Sequence, residues 1–279
     1  MIRGLYFSKG VIETNNITLA HHGIKGQKWG VQNGPPYPLG ASKDTYSINR
    51  DGSIKILKGA IMQRVVDENS EAAKKKKLYP GMNYASFTSN DNAKYIVATG
   101  GEAFKGANRD ALLKLKVKKD LKSPSTGEAS RIYFQMLKDN PQFAKKAGEL
   151  IRDKAYTEKE LDALIQYSKR TNKPHNDYFY ANYCLIKYGH REWDKITNTY
   201  FDLLKKNGYN LLRDENDTRS GLARNPVIVL DSANCLSVES VTHVDSQMRK
   251  NAQLYVDKYS GKGRIYLRSL GFPVPLPRE

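Results

Sequence analysis

YSINRDGSIKILKGAIMQRVV, Tyr46 to Val66, is the stretch on which the architecture turns. Apolar and polar residues alternate on both sides of Asp51-Gly52, a pattern that predicts a β-hairpin. KGAIMQRVV then predicts a strand centred on Gln63, which sets Arg64 among apolar neighbours. A guanidinium rooted in such a strand needs an anion, either a structural carboxylate or a ligand, because a lone charge there is costly.

Working outward, residues 1–45 read as a tail. It holds LAHHGIKGQKWGVQNGPPYPLG (Leu19–Gly40), whose Gly and Pro residues block regular structure. On the other side, DENSEAAKKKKLYPGMN reads as a polar, mobile segment. YASFTS predicts a short strand, and NDNAKYIVATGGEAF a helix capped by Asn90 or Asp91. ALLKLKVKKDL alternates from Leu113 to Val117, a strand with a lysine face. From Ser125 to about Asn207 the spacing turns helical in FQMLKDNPQFAKKAGELIRD, TEKELDALIQYSKR, YFYANYCLIKYG and WDKITNTYFDLLKKNG, closed by Gly208 as a C-cap. Strands resume in YNLLRDEN, NPVIVLD and CLSVESVTHV, and the last forty residues read as polar with a proline-rich end. Strands, a helical block, then strands is an α+β order, with no internal repeat.

Composition narrows the partners. The 279 residues carry 46 Lys and Arg against 29 Asp and Glu, a net charge of +17 spread along the chain. Such a field attracts polyanions: nucleic acid, nucleotide phosphates, an acidic protein surface or an anionic membrane. No apolar run is long enough for a membrane span and the start lacks the apolar core of a secretory signal, so the expected location is a cytoplasm or a particle packaged from it. Cys184 and Cys235 sit in apolar settings and read as reduced, buried thiols.

Three strand-borne features can carry chemistry. Arg64 is the first. The second is YASFTS, whose Ser86 and Thr88 share one strand face and can orient a carboxylate or a phosphate. The third is GYNLLRDENDTRSG, which ends a strand in Asp214, Glu215 and Asp217. Taken singly, each has a plain explanation: a salt bridge, ordinary β-propensity, a solvated acidic turn. Glu128 is a further acid, but SPSTGEASRIYF fits a capping box from Ser125 to Glu128. His175, His190 and His243 form no recognisable nuclease pattern.

In order, an arginine strand, a Ser-x-Thr-Ser-like strand and a later acidic strand end resemble the Arg–Ser–Glu plan of ADP-ribosyltransferases. DGSIKILKGAIMQRVV, YASFTSNDNAKYI and GYNLLRDEND…NPVIVLD are similar to such domains encoded by phages and prophages of Gram-positive bacteria, over about residues 46–240. The resemblance implies split mixed or antiparallel sheets with a helical insertion at about 125–207, in a domain spanning 46–279. It also implies NAD as substrate, with Arg64, Ser86, Thr88 and Tyr84 gripping it and Arg64, Ser86 and Glu215 as the catalytic set. A host protein or nucleic acid would be the acceptor. RDEND departs from the usual Glu-x-Glu or Gln-x-Glu pair, which leaves Asp214, Asp217 and Glu128 as rivals to Glu215. Tyr79, Tyr84, Phe87 and Tyr95 flank the region, and Lys74–Lys77 could steer an anionic target toward it.

HHGIKGQKWGV in the tail resembles a short motif of tailed-phage proteins encoded near head genes, with Gln32 where arginine is common. Trp29 supplies an apolar anchor, and Lys25 and Lys28 supply charge. His21 and His22 lack the further ligands a zinc site needs, so no metal is expected. The implied partner is a capsid or head-assembly protein, and the implied location the virion or the host cytoplasm. The competing expectation is a non-enzymatic particle component that carries a degenerate form of the fold and contacts DNA through its basic surface.

Overall fold

Gly52 sits at φ +81° in the turn between β1 (Tyr46–Ile48) and β2 (Ile54–Ile56), which pair antiparallel with Ser47 opposite Lys55. A Cβ on Gly52 would lie 2.5 Å from Thr126 Cγ2, so both the turn and its packing require glycine. The hairpin predicted from Asp51-Gly52 is therefore present. In this computed structural model the described residues are 45–79, 86–87, 96, 110–187, 194–220 and 225–259. The chain divides into two units, Met1–Gly40 and Ala41–Glu279, and all of the described residues belong to the second.

The remaining strands are β3 (Ile61–Val66), β4 (Ser86–Phe87), β5 (Ala111–Val117), β6 (Leu121–Lys122), β7 (Leu211–Arg213), β8 (Val227–Val229) and β9 (Leu236–His243). They form three antiparallel sheets, ordered β1-β2-β6, β3-β5-β9 and β4-β8-β7. The helices are α1 (Glu71–Lys74), α2 (Thr126–Asp139), α3 (Pro141–Arg152), α4 (Glu158–Thr171), α5 (Asn176–Lys187), α6 (Asp194–Lys206), α7 (Glu215–Ser220), α8 (Ser232–Cys235) and α9 (Ser246–Tyr259). This is an α+β protein, with a helical block, α2 to α6, inserted between strands.

Layering follows from alternation. On β7 and β8, Leu212, Ile228 and Leu230 join the core of the helical block, whereas Leu211, Val227 and Val229 join the core of β2, β3 and β5. The β7–β8 pair is thus a middle layer, which explains why Val227 to Leu230 are apolar without a break. Asn210 ties this layer to the first sheet. Its Oδ1 accepts from Lys122 N (2.8 Å), its Nδ2 donates to Asp120 O (3.0 Å), and its own N donates to Lys122 O (3.2 Å). One side chain here continues the β-ladder from β6 to β7.

Several expectations need correcting. ALLKLKVKKDL is two strands, not one: Leu113, Leu115 and Val117 are buried and Lys114 and Lys116 exposed as read, but the chain turns at 118–120 and enters another sheet as β6. Asp120 holds that turn by accepting from Lys58 N at 2.9 Å. FQMLKDNPQFAKKAGELIRD breaks at Asn140, because Pro141 cannot donate to the preceding turn. The segment after Asp67 contains a helical turn capped by Ser70, with Ala72, Ala73 and Leu78 in the core. The chain's end is not wholly a polar tail: α9 lays Met248 and Ala252 against Val65, Leu112 and Val244. The helix predicted after Asn90 lies outside the described residues except for Ile96, which is buried. Cys184 and Cys235 are free, and burial pushes the Cys184 thiol up to about 11. Among the described residues no helix is long and apolar enough to cross a membrane.

Helix α4 begins with a complete capping box. Glu160 N donates to Thr157 Oγ1, while Glu160 Oε2 accepts from Thr157 N at 2.8 Å, and Arg152 pairs with the same carboxylate. Thr157 N, with Arg152 next, lowers the Glu160 carboxyl from its ordinary 4.5 to about 2. A lowered folded-state value stabilises the fold above pH 4.5, and the contribution disappears as pH falls toward 2. Urea unfolding of Glu160→Gln should therefore match wild type near pH 2 and fall below it at pH 6; equal differences at both values would contradict this.

Candidate functional site

Ser86, Ile228 and Leu212 lie opposite one another across β4, β8 and β7, and Phe87, Val227 and Arg213 form the next row. Because β8 is antiparallel to both neighbours, β4 and β7 run in the same direction and end at the same edge of the sheet. β3, which carries Arg64 opposite Leu113 of β5, lies beside β4. Arg64 is half-buried and engaged in an interaction of its own. For Ser86 the backbone position is what is described; Tyr84 and Thr88 lie outside the described residues, as do His21, His22, Lys25, Lys28 and Trp29 of the tail.

The acids follow β7 at that edge. Asp214 is the N-cap of α7: its Oδ1 accepts from Asp217 N (2.9 Å), and its carbonyl accepts from Thr218 N (3.1 Å) and Thr218 Oγ1 (2.7 Å). Asp214 and Asp217 are therefore explained by helix initiation. Glu215 stands at the first helical position, with Oε1 3.6 Å from Arg213 Nε. All three acids are buried, Asp214 at 0%, Glu215 at 6% and Asp217 at 0% exposure, so this is not a solvated turn.

Asn182 of α5, which the sequence reading missed, holds the junction. Its Oδ1 accepts from Glu215 N at 3.2 Å and its Nδ2 donates to Arg213 O at 3.3 Å, spanning Asp214 on both sides. The amide also bonds the Tyr178 hydroxyl, which lies 2.8 Å from the Tyr200 hydroxyl. Tyr200 in turn donates to Ala129 O at 3.0 Å. Burial pushes both phenols up, Tyr178 and Tyr200 alike, so they stay protonated and can donate along the chain. A buried hydrogen-bonded line thus runs from α2 through α6 and α5 to the start of α7.

Glu128 lies elsewhere. Ser125 Oγ accepts from Glu128 N (3.1 Å), as a cap should, but the carboxylate turns to Arg131, with contacts of 2.7 and 3.0 Å, so the reciprocal half of the capping box is missing. Of the lysine run, Lys75 pairs with Glu71 at 2.7 Å. A separate pocket of about 340 Å³ is lined by Arg152, Glu160, Ala163, Leu164, His175 and Asp177. Its charges serve each other: Arg152 lies between Glu160 and Asp177, and Tyr156 donates to Asp177 at 2.9 Å. His175 caps α5 by accepting from Asp177 N at 3.3 Å. Among the described residues no group of three or more His, Cys, Asp or Glu is arranged to hold a metal ion.

Compared with protein-family models, curated proteins and solved structures, the chain matches none.

Removing the Asn182 amide leaves Glu215 N without its buried acceptor, a loss of about 1–3 kcal/mol in unfolding free energy. Urea titration of Asn182→Ala against Tyr180→Ala, an exposed site on the same helix, checks this. A shift for Asn182→Ala no larger than that of the control would remove the clamp from the account.

Proposed function

We propose that this chain is a virion- or head-associated mono-ADP-ribosyltransferase that transfers ADP-ribose from NAD to a host macromolecule. The observation carrying the reading is the shared edge: β4, with Ser86, and β7, which leads into Glu215, end on the same side of one sheet, and the Arg64 strand runs beside β4. Two of these segments end at one edge of a sheet and the third runs beside the first of them, an arrangement that supports the order the resemblance implies.

In this reading Arg64 holds a phosphate or ribose of NAD and fixes its pose. Loss of nicotinamide from the ribose leaves positive charge on the sugar, as departure of a glycosidic leaving group does. Glu215 stabilises that charge, and Ser86 orients Glu215. The helical block supports the acid through Asn182. The N-terminal motif attaches the protein to a capsid or head-assembly partner, and Trp29 is its anchor.

A second reading is favoured by one specific observation. Glu215 is 6% exposed beneath Asn182, a placement suited to a structural acid in a non-enzymatic particle component.

Incubation of the protein with labelled NAD and bacterial lysate separates the two. The transferase reading expects a labelled acceptor, with labelling reduced about 100-fold or more in Glu215→Gln, in keeping with loss of a transition-state electrostatic contact. Wild-type protein that neither labels an acceptor nor hydrolyses NAD favours the structural reading.

A further inference from the structure

The outer face of the first sheet carries a row that the site above does not use. Ser47, Lys55 and Lys122 are direct partners across β1, β2 and β6, and all three are exposed. Residues directly opposite in an antiparallel pair project on the same side. Their neighbours Ile54, Ile56 and Leu121 face the core, which fixes the lysines outward. Two ammonium groups therefore stand on adjacent strands, about 5 Å apart at the backbone. Like charges so placed destabilise a sheet.

Among the described residues no carboxylate pairs with either lysine. Lys55 makes no ion pair among the described residues. Lys122 Nζ lies 5.8 Å from the centre of the Tyr209 ring, which follows the C-terminal end of α6. The acids nearby have partners of their own: Asp120 accepts from Lys58 N, Asp51 from Ser53 N and Ser53 Oγ, and Glu128, whose charge reaches Tyr209, pairs with Arg131 at 2.7 Å. Tyr209 is half-exposed, with its buried side against the helical core. The row thus offers a hydroxyl, an aromatic ring and two ammonium groups that make no ion pair among the described residues, along one line that Asn210 ties to β7.

We propose that this row, Ser47–Lys55–Lys122–Tyr209, is a binding strip for single-stranded nucleic acid. The lysines take adjacent phosphates and the tyrosine ring receives a base. The combination of paired ammonium groups with an aromatic platform is what single strands use, since every nucleotide brings both a phosphate and a base, whereas a run of aspartate or glutamate brings charge without a ring. The strip does not depend on the transferase reading, and its test involves no NAD.

Fluorescence anisotropy of a labelled 12-nucleotide oligothymidine, titrated at several salt concentrations, tests the proposal. Each phosphate contact on a single strand contributes about 0.7 to the slope of log K against log salt. Lys55→Gln/Lys122→Gln should flatten the slope by about 1.4 and weaken binding roughly tenfold or more at low salt. Its melting temperature should stay level or rise, because a repulsive pair has gone. Lys159→Gln/Lys169→Gln, the same charge change on exposed positions of α4, should leave the slope unaltered. Tyr209→Leu, which keeps apolar packing, should weaken the single strand but not a duplex of equal length. The proposal is overturned if both double variants flatten the slope equally, if the strip variant binds like wild type, or if polyglutamate of matched charge competes better than oligothymidine.

Discussion

The structure depends on one doubly buried strand pair. From Val227 to Leu230 every side chain of the β8 segment has 0% exposure, with alternate residues given to the helical core and to the core of the other sheets. A strand so placed has no solvent face to which a register slip could move its apolar residues without exposing half of them. It therefore sets where β4 and β7 lie on either side of it, and with them the edge at which the acidic segment begins. The helical block is in this sense the third layer of a sandwich rather than an appendage.

That edge concentrates negative charge in a chain of net charge +17. Buried carboxylates persist only where polar partners answer them; here Asp217 N donates to Asp214 Oδ1 and the Arg213 guanidinium lies beside Glu215, while Asn182 fixes the backbone on either side of Asp214. The line Asn182, Tyr178, Tyr200, Ala129 then joins the junction to α2. Whatever moves α5 relative to β7 must break buried hydrogen bonds, so the insertion and the acidic edge act as one body.

Much of this was legible in the sequence, and the reasons for success and failure are physical. Asp51-Gly52 announced its hairpin because the turn needs positive φ, and Leu113–Val117 announced a half-exposed strand because Lys114 and Lys116 had to face water. The sheet switch at Lys118–Asp120 was not visible, since that turn contains neither glycine nor proline and is held by a distant backbone amide, Lys58 N. Helix α9 was missed because the anchors seen among its described side chains, Met248 and Ala252, stand in a segment rich in charged and amide residues. The burial of Asp214, Glu215 and Asp217 was beyond local reading: Asn182, which holds the backbone at Arg213 and Glu215, lies 33 residues before Glu215. The strand order that puts Ser86 and Arg213 at one edge is likewise a property of pairing, not of either segment alone.

An arginine strand, a serine strand and an acidic strand end gathered around one dinucleotide remain the central claim, and ligand-linked stability tests it most directly. A ligand at a hundredfold excess over its dissociation constant stabilises the folded state by about 2.7 kcal/mol, or several degrees for a domain of this size. Thermal unfolding with increasing NAD should raise the melting temperature of wild type by several degrees and leave Arg64→Ala flat. A wild-type curve unmoved by millimolar NAD, or an equal rise in the variant, would contradict the account.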